Sequence, residues 1–363
     1  MAGNYLVNTF IVKSNKILIK LILSIFILWL ISICSVGTYL KIKGVICKYK
    51  FESWIYSPAV IFDNIAYQST FNGKLYAISL NDKKTKWIFE PVLDDNGATT
   101  PVILGNSIVF SGTDTYVLNI NTGRQNWRYR TLTMYSAPII SKKSVYVGGT
   151  NALYSLDLET GKLNWKYEIE NVEPLPAIYN GVIYFGSKWA KIFYAVDASS
   201  GKTKWKINTT GVVHAPPVIA EGIVYSGVGD SLIAMDTDSG KEVWRFKTDN
   251  YIETTPIIYN KCLYFTSHDR HLYALDIKTG KLLWKFEVDD WELTSPMVKD
   301  GVLYFGSFYD SALYAVDISS GTEKWHLKFI NHVMSGILAQ PVISNNILYV
   351  GCGKYLYAIQ LKT

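Results

Sequence analysis

Seven tryptophans recur at 87, 127, 165, 205, 244, 284 and 325, spaced 40, 38, 40, 39, 40 and 41 residues apart. Eight prolines keep the same rhythm, at 58, 101, 138, 176, 216, 256, 296 and 341. A chain with this period is an array of like units, each too small to bury its own apolar faces alone. Between each proline and the next tryptophan lie two apolar runs. The first is tyrosine-rich, as in VYVGG (145–149), LYFTS (263–267) and LYFGS (303–307). The second ends on aspartate, as in LYSLD (153–157), LYALD (272–276) and LYAVD (313–317). With the short run after the proline and the run carrying the tryptophan, each unit holds four short strands.

Four strands per forty residues is the mark of a β-propeller, in which sheets pack radially around a channel. A β-solenoid has a much shorter repeat, and no helical periodicity appears after residue 50. The eighth unit begins at Pro341 and has no tryptophan strand of its own. The segment CKYKFESWIYSP (47–58) aligns with LWKFEVDDWELTSP (283–296), which places Tyr49 near the Trp284 position. The expected fold is therefore all-β: an eight-bladed propeller over 46–363, closed by a strand from its N-terminus that removes a free edge.

The repeated residues read as architecture. Gly123, Gly161, Gly201, Gly240, Gly280 and Gly321 each stand four residues before a tryptophan, where a hairpin needs a residue at positive φ. Asp157, Asp197, Asp236, Asp276 and Asp317, with Asn119 in the second blade, are placed to accept backbone hydrogen bonds across that turn. Trp87, Trp127, Trp165, Trp205, Trp244, Trp284 and Trp325 suit packing between blades, with a neighbouring turn carbonyl as partner for each indole N–H. Blade one departs, with Ser79 for the aspartate and Lys83 for the glycine, so a less regular turn is expected there.

The pattern [LF]YA[LV]D-x-x-[TS]G-K-x-x-W resembles the pyrroloquinoline-quinone (PQQ) repeat, whose tryptophan-docking motif joins the blades of an eight-bladed propeller. The resemblance covers about 47–363. It implies the fold strongly and the function weakly, because the family includes quinoprotein dehydrogenases and non-enzymatic binding proteins. Among the latter is the propeller lipoprotein of the outer-membrane β-barrel assembly machinery, which this chain is similar to in size and repeat count.

The first forty residues differ from the rest. Of 36 basic side chains, seven are lysines within 1–50, which holds no acid; the remainder is near neutral, with 29 bases against 30 acids. A basic nucleic-acid-binding face is thereby excluded. Residues 1–20 form a short basic tail, and 21–40 (LILSIFILWLISICSVGTYL) is an uncharged run long enough to cross a bilayer as one helix. It reads as a signal anchor, which would put the propeller on the extracytoplasmic side, in the periplasm or at the cell surface, and close to the bilayer. Cleavage near Ser35–Gly37 would instead release a secreted protein. Ile33 stands before Cys34 where a lipoprotein signal wants a small residue. The four cysteines show neither metal spacing nor a paired framework.

The run after each proline is apolar, with Lys299 its only charge, and no two cysteines are adjacent. No catalytic, cofactor or metal residue is assigned. A monomeric, non-enzymatic protein-binding scaffold at a membrane is the favoured reading, possible roles including envelope protein assembly. The alternatives are a dehydrogenase using PQQ with calcium, and a carbohydrate- or cell-wall-binding propeller. In propellers the loops leading into the first strand and those between the second and third share one face. That face collects the residues the repeat does not require. The candidates for partner binding there are Trp189, His268, Arg270, Trp291, Glu292, Phe308 and Tyr309.

Overall fold

The computed structural model describes residues 44–363 except 92–96, 98, 134–135, 170–175, 188–189, 330–335 and 362–363. The basic tail and the apolar segment 21–40 lie outside the described residues. Among the described residues, no helix is long and apolar enough to cross a membrane.

Among the described residues, thirty-two strands form eight four-stranded antiparallel sheets, the blades of a propeller. Seven blades are built from four consecutive strands. The eighth is ordered Val45–Lys50, Tyr355–Gln360, Ile347–Cys352 and Val342–Ser344, so the N-terminal strand supplies its outer edge. Val45 pairs with Ile359 and Lys50 with Tyr355.

Burial follows position within a blade. The two middle strands are buried on both faces because each packs against a neighbouring blade. Leu75–Ser79 is buried throughout, which is why these strands read as continuous apolar runs. The outer strands, such as Leu282–Glu287, alternate between half-buried and exposed residues. Within the middle strands aromatic pairs stack nearly parallel. Phe265 lies on Tyr273 with ring centroids 5.2 Å apart and 11° between planes, and Phe305 on Tyr314 at 5.2 Å and 14°.

Six tryptophans join blades one to seven in succession. The indole of Trp244 donates to the carbonyl of Ile277 at 3.1 Å, and that of Trp284 to Ile318 at 3.1 Å. Trp87, Trp127, Trp165 and Trp205 do the same to Ile120, Leu158, Ala198 and Thr237, at 2.8–3.0 Å. Each ring lies flat over the glycine of the next blade's turn. A Cβ on Gly280 would stand 2.6 Å from the Trp244 ring. Those glycines are at φ near +70°, so they are required twice, once by the backbone and once by the ring. The aspartates cap the turn: Asp276 accepts from the Thr279 amide at 2.8 Å and its hydroxyl at 2.7 Å.

Blade eight shows why blade one departs. Cys47 pairs with Ala358 in the register that sets Trp284 opposite Ala274, with Ile46 bulged as Leu283 is. Cys47 therefore occupies the tryptophan position, and Tyr49 takes that of Phe286, two residues from where the sequence alignment put it. Among the described residues, no indole is hydrogen-bonded from blade eight into blade one. Lys83 accordingly keeps the positive φ (+61°) without needing to be glycine. The hairpin closes as elsewhere, with the Ser79 amide donating to Lys84 at 2.9 Å.

The connections sort onto two faces. The turns between first and second and between third and fourth strands share one, here the turn face. The loops leading into the inner strands and those between second and third strands share the other, the loop face. Val45 stands at the turn-face end of its strand, because it pairs with the last residues of Tyr355–Gln360.

Candidate functional site

The inner strands converge on the axis, and at the loop face they open into a cavity of about 790 Å³. Its walls come from the lead-in loops of seven described blades, including Tyr56, Thr100, Ala137, His214, Glu253 and Gln340. These loops are tied to one another around the ring. The Thr255 amide donates to Ser295 Oγ at 2.9 Å, Thr266 Oγ1 to the Thr294 carbonyl at 3.0 Å, and Gln340 Nε2 to the Pro296 carbonyl at 2.8 Å.

One sector of the rim, over blades six and seven, concentrates charge and exposed aromatic surface. Glu253 receives two histidines: His214 Nδ1 lies 3.4 Å from one oxygen and His268 Nε2 3.2 Å from the other. The His268 ring is 5.3 Å from that of Trp291, which is 5.2 Å from Tyr309, which meets Phe308 edge-on at 5.0 Å. Tyr251 packs edge-on against His214 at 6.2 Å. Tyr251, Trp291 and Tyr309 are 52, 45 and 60% exposed, unusual for side chains of this size.

Buried polar groups hold this rim in place. Asp290, 2% exposed, accepts from the amides of Glu292 (2.9 Å), Tyr309 (2.6 Å) and Asp310 (3.1 Å). It therefore fastens the blade-seven lead-in loop to the loop that carries Tyr309. Asp269 accepts from the Tyr273 hydroxyl and Asp310 from the Tyr314 hydroxyl, both at 2.6 Å. Burial, then the carboxylate partner, pushes both tyrosines far above the ordinary phenol range. The Glu292 carboxyl is also raised: burial is the main cause, Asp290 and Glu253 add to it, and His268 opposes it.

Five of the sequence-predicted residues gather here: His268, Trp291, Glu292, Phe308 and Tyr309. Arg270 does not. It sits at the corner of its hairpin with φ +72° and faces Glu287 on the outer strand at 3.9 Å. Trp189 lies outside the described residues. Tyr251 is an addition. It stands five residues before Pro256, the register of Trp291 before Pro296, so the repeat itself carried the signal. A second aromatic group lies on blade one, with Tyr56 6.3 Å from Trp54 and 5.0 Å from Phe71.

The residues around the axis do not match what a calcium-bound quinone needs. A hard cation of that size takes six or more oxygen ligands, several of them carboxylates. Glu253 is the carboxylate among the described residues lining the cavity, and both its oxygens face histidines. Among the described residues, no three histidines, cysteines or acids are placed to hold a metal.

Solved structures place the fold. BamB from Moraxella catarrhalis is similar at a TM-score of 0.71 and 15% identity, over 87% of this chain and 99% of that one. A quinohemoprotein alcohol dehydrogenase from Comamonas testosteroni is similar at 0.73 and 14%, over 88% and 77%. The computationally designed Ika8 protein is similar at 0.70 and 15%, over 86% and 98%. BamB, an alcohol dehydrogenase and a computational design thus share one architecture, so the likeness speaks to fold alone. Among curated proteins, no sequence matches this one. The match to a family is direct: by residues 48–171 and 190–363, the chain belongs to the family described as outer membrane protein assembly factor BamB.

Proposed function

We propose that this chain is a membrane-tethered, extracytoplasmic scaffold that binds partner proteins through its loop face, in the assembly of envelope proteins. The observation that carries the reading is the rim over blades six and seven. There, large aromatic side chains stand exposed on loops that Asp290, Asp269 and Asp310 hold rigid. Rigid aromatic anchors supply binding energy with little ordering cost, as protein interfaces require. Membership in the BamB family supports an assembly role, and the hydrophobic segment 21–40 supports a tether. The carboxylate-poor axis gives a redox cofactor little to bind.

Site-specific photo-crosslinking tests this. A benzoylphenylalanine at Tyr309, in the full chain in membranes, should capture discrete protein partners, whereas the same probe at Val243 on an outer strand should not. Equal yields from both positions, or none from Tyr309, would refute the scaffold. Resistance of the protein to alkaline carbonate extraction would verify the tether, and its release would exclude one.

A further inference from the structure

The exposed apolar side chains sort between the two faces. On the loop face they are aromatic: Tyr56, Phe71, Tyr251, Trp291 and Tyr309. Toward the turn face they are nearly all aliphatic. Four neighbouring blades carry one each: Ile46 on blade eight, Phe62 on blade one, Leu104 on blade two and Leu163 on blade three, all 43–50% exposed. Phe62 and Leu104 end the inner strands Val60–Phe62 and Val102–Leu104, so they stand where those strands reach the turn face. In the turns of blades one to three, Lys83, Lys84, Arg124, Lys142, Lys143 and Lys162 outnumber the acids Asp63, Asp82, Asp157 and Glu159. In the turns of blades four to seven the acids outnumber the bases. Apolar side chains with no polar handle, flanked by basic turns, suit a lipid headgroup layer. A protein partner rewards aromatic anchors instead, and those are on the other face.

The course of the chain selects the same occupant. Val45 is at the turn-face end of its strand. Five residue steps separate it from Leu40, the end of the uncharged run, a reach of about 18 Å at most when fully extended. The loop face lies a strand further on, about 20 Å for six residues before its loops are counted. With 21–40 in a bilayer, the turn face is the one this short leash presents to it. Resting on the tether reading, we propose that the turn face of blades eight, one, two and three is a membrane-contacting surface. Phe62 and Leu104 enter the headgroup layer, and the basic turns meet the phosphates of anionic lipids. The aromatic rim on the loop face is thereby turned to the aqueous side, open to partner proteins. Val243, Leu282 and Leu283 continue the aliphatic edge on blades five and six, farther round the ring from the point of entry.

The test uses the full chain in vesicles of phosphatidylethanolamine and phosphatidylglycerol, with benzoylphenylalanine at Phe62, at Leu104 or, as the loop-face reference, at Tyr251. Irradiation at Phe62 or Leu104 should give lipid adducts, read by mass spectrometry, at least fivefold above Tyr251. The two positions are on different blades, so a probe that unfolds one leaves the other. Replacing phosphatidylglycerol with phosphatidylcholine, or introducing K83E/K84E/R124E, should lower the yield at least twofold; no change in either would overturn the anionic contact. Lipid adducts as abundant from Tyr251 as from Phe62 would overturn the orientation. So would adducts from Phe62 to residues 1–20 of the chain or to a second copy, which would give the face another occupant. Alkaline carbonate separates this surface from the tether it rests on. If the chain stays in the membrane and neither probe takes up lipid, the surface falls and the tether stands. If the chain is released, both fall, while protein capture from Tyr309 reads the scaffold independently.

Discussion

The joint between blades can be broken into two separate costs. At Gly280 an alanine must hold φ near +67°, and its Cβ must occupy space 2.6 Å from the Trp244 ring. The first cost is about 1–2 kcal/mol, the usual penalty for an L-residue with a Cβ in the left-handed region. The second, an overpacking cost, is about 1–3 kcal/mol, since the ring is fixed by its bond to the Ile277 carbonyl and cannot swing clear. Gly181 provides the control: φ is +75° and nothing lies within 4 Å of its absent Cβ. Gly181→Ala should therefore lose only the first cost, and Gly280→Ala both, about 2–5 kcal/mol. Urea unfolding of both variants, followed by far-UV circular dichroism, measures the difference. Adding Trp244→Ala to Gly280→Ala should restore the clash component, so the double variant is less destabilised than the sum of the two singles. If Gly280→Ala proves no less stable than Gly181→Ala, the indole is not what demands the glycine.

Three other outcomes follow from the same geometry. Asp290→Ala leaves three amides without their acceptor and should cost about 2–3 kcal/mol, with proteolytic nicking appearing around 289–292 and 308–310. Cys352 is fully buried and its thiol is pushed up to about 12, so iodoacetamide at pH 8 should leave it unmodified until the protein unfolds. Asp197 is lowered to about 2, chiefly by the Ser199 and Ser200 hydroxyls and the Ser200 amide. A depressed carboxyl stabilises the fold above its unfolded value near 3.8 and loses that contribution as pH falls through about 2. The stability gap between wild type and Asp197→Asn should accordingly be widest above pH 5 and close below pH 2.

Much of this architecture was legible because one physical demand is repeated in every blade. A glycine under an indole and an aspartate capping its turn leave the same letters at the same spacing. The seam was harder to read, because there the demand disappears. With Cys47 in place of a tryptophan, alignment settled on Tyr49, the nearest ring, and missed the register by two residues. The site was partly legible as a departure from the repeat. Trp291, Phe308 and Tyr309 stood out as large aromatics the fold does not need. Linear order could not separate His268 from Arg270, which a tight hairpin turns toward opposite sides, one to Glu253 and the other to Glu287. Nor could it show that Asp290 is buried beneath its neighbours, since a capped loop and a solvated one are spelled alike.

The borrowed strand of blade eight also sets a timetable. Val45–Lys50 is among the first parts of the propeller to be made, yet its partner, Tyr355–Gln360, is the last strand of all. Until that partner emerges, the first strand waits as an unpaired edge and blade eight lacks its outer wall. Contacts this distant in sequence close slowly, so ring closure is expected late in folding. For as long as synthesis lasts, a nascent propeller of this design is an open arc with two adhesive ends. Any factor that shields the first strand during that interval would govern how much of the protein reaches its closed form.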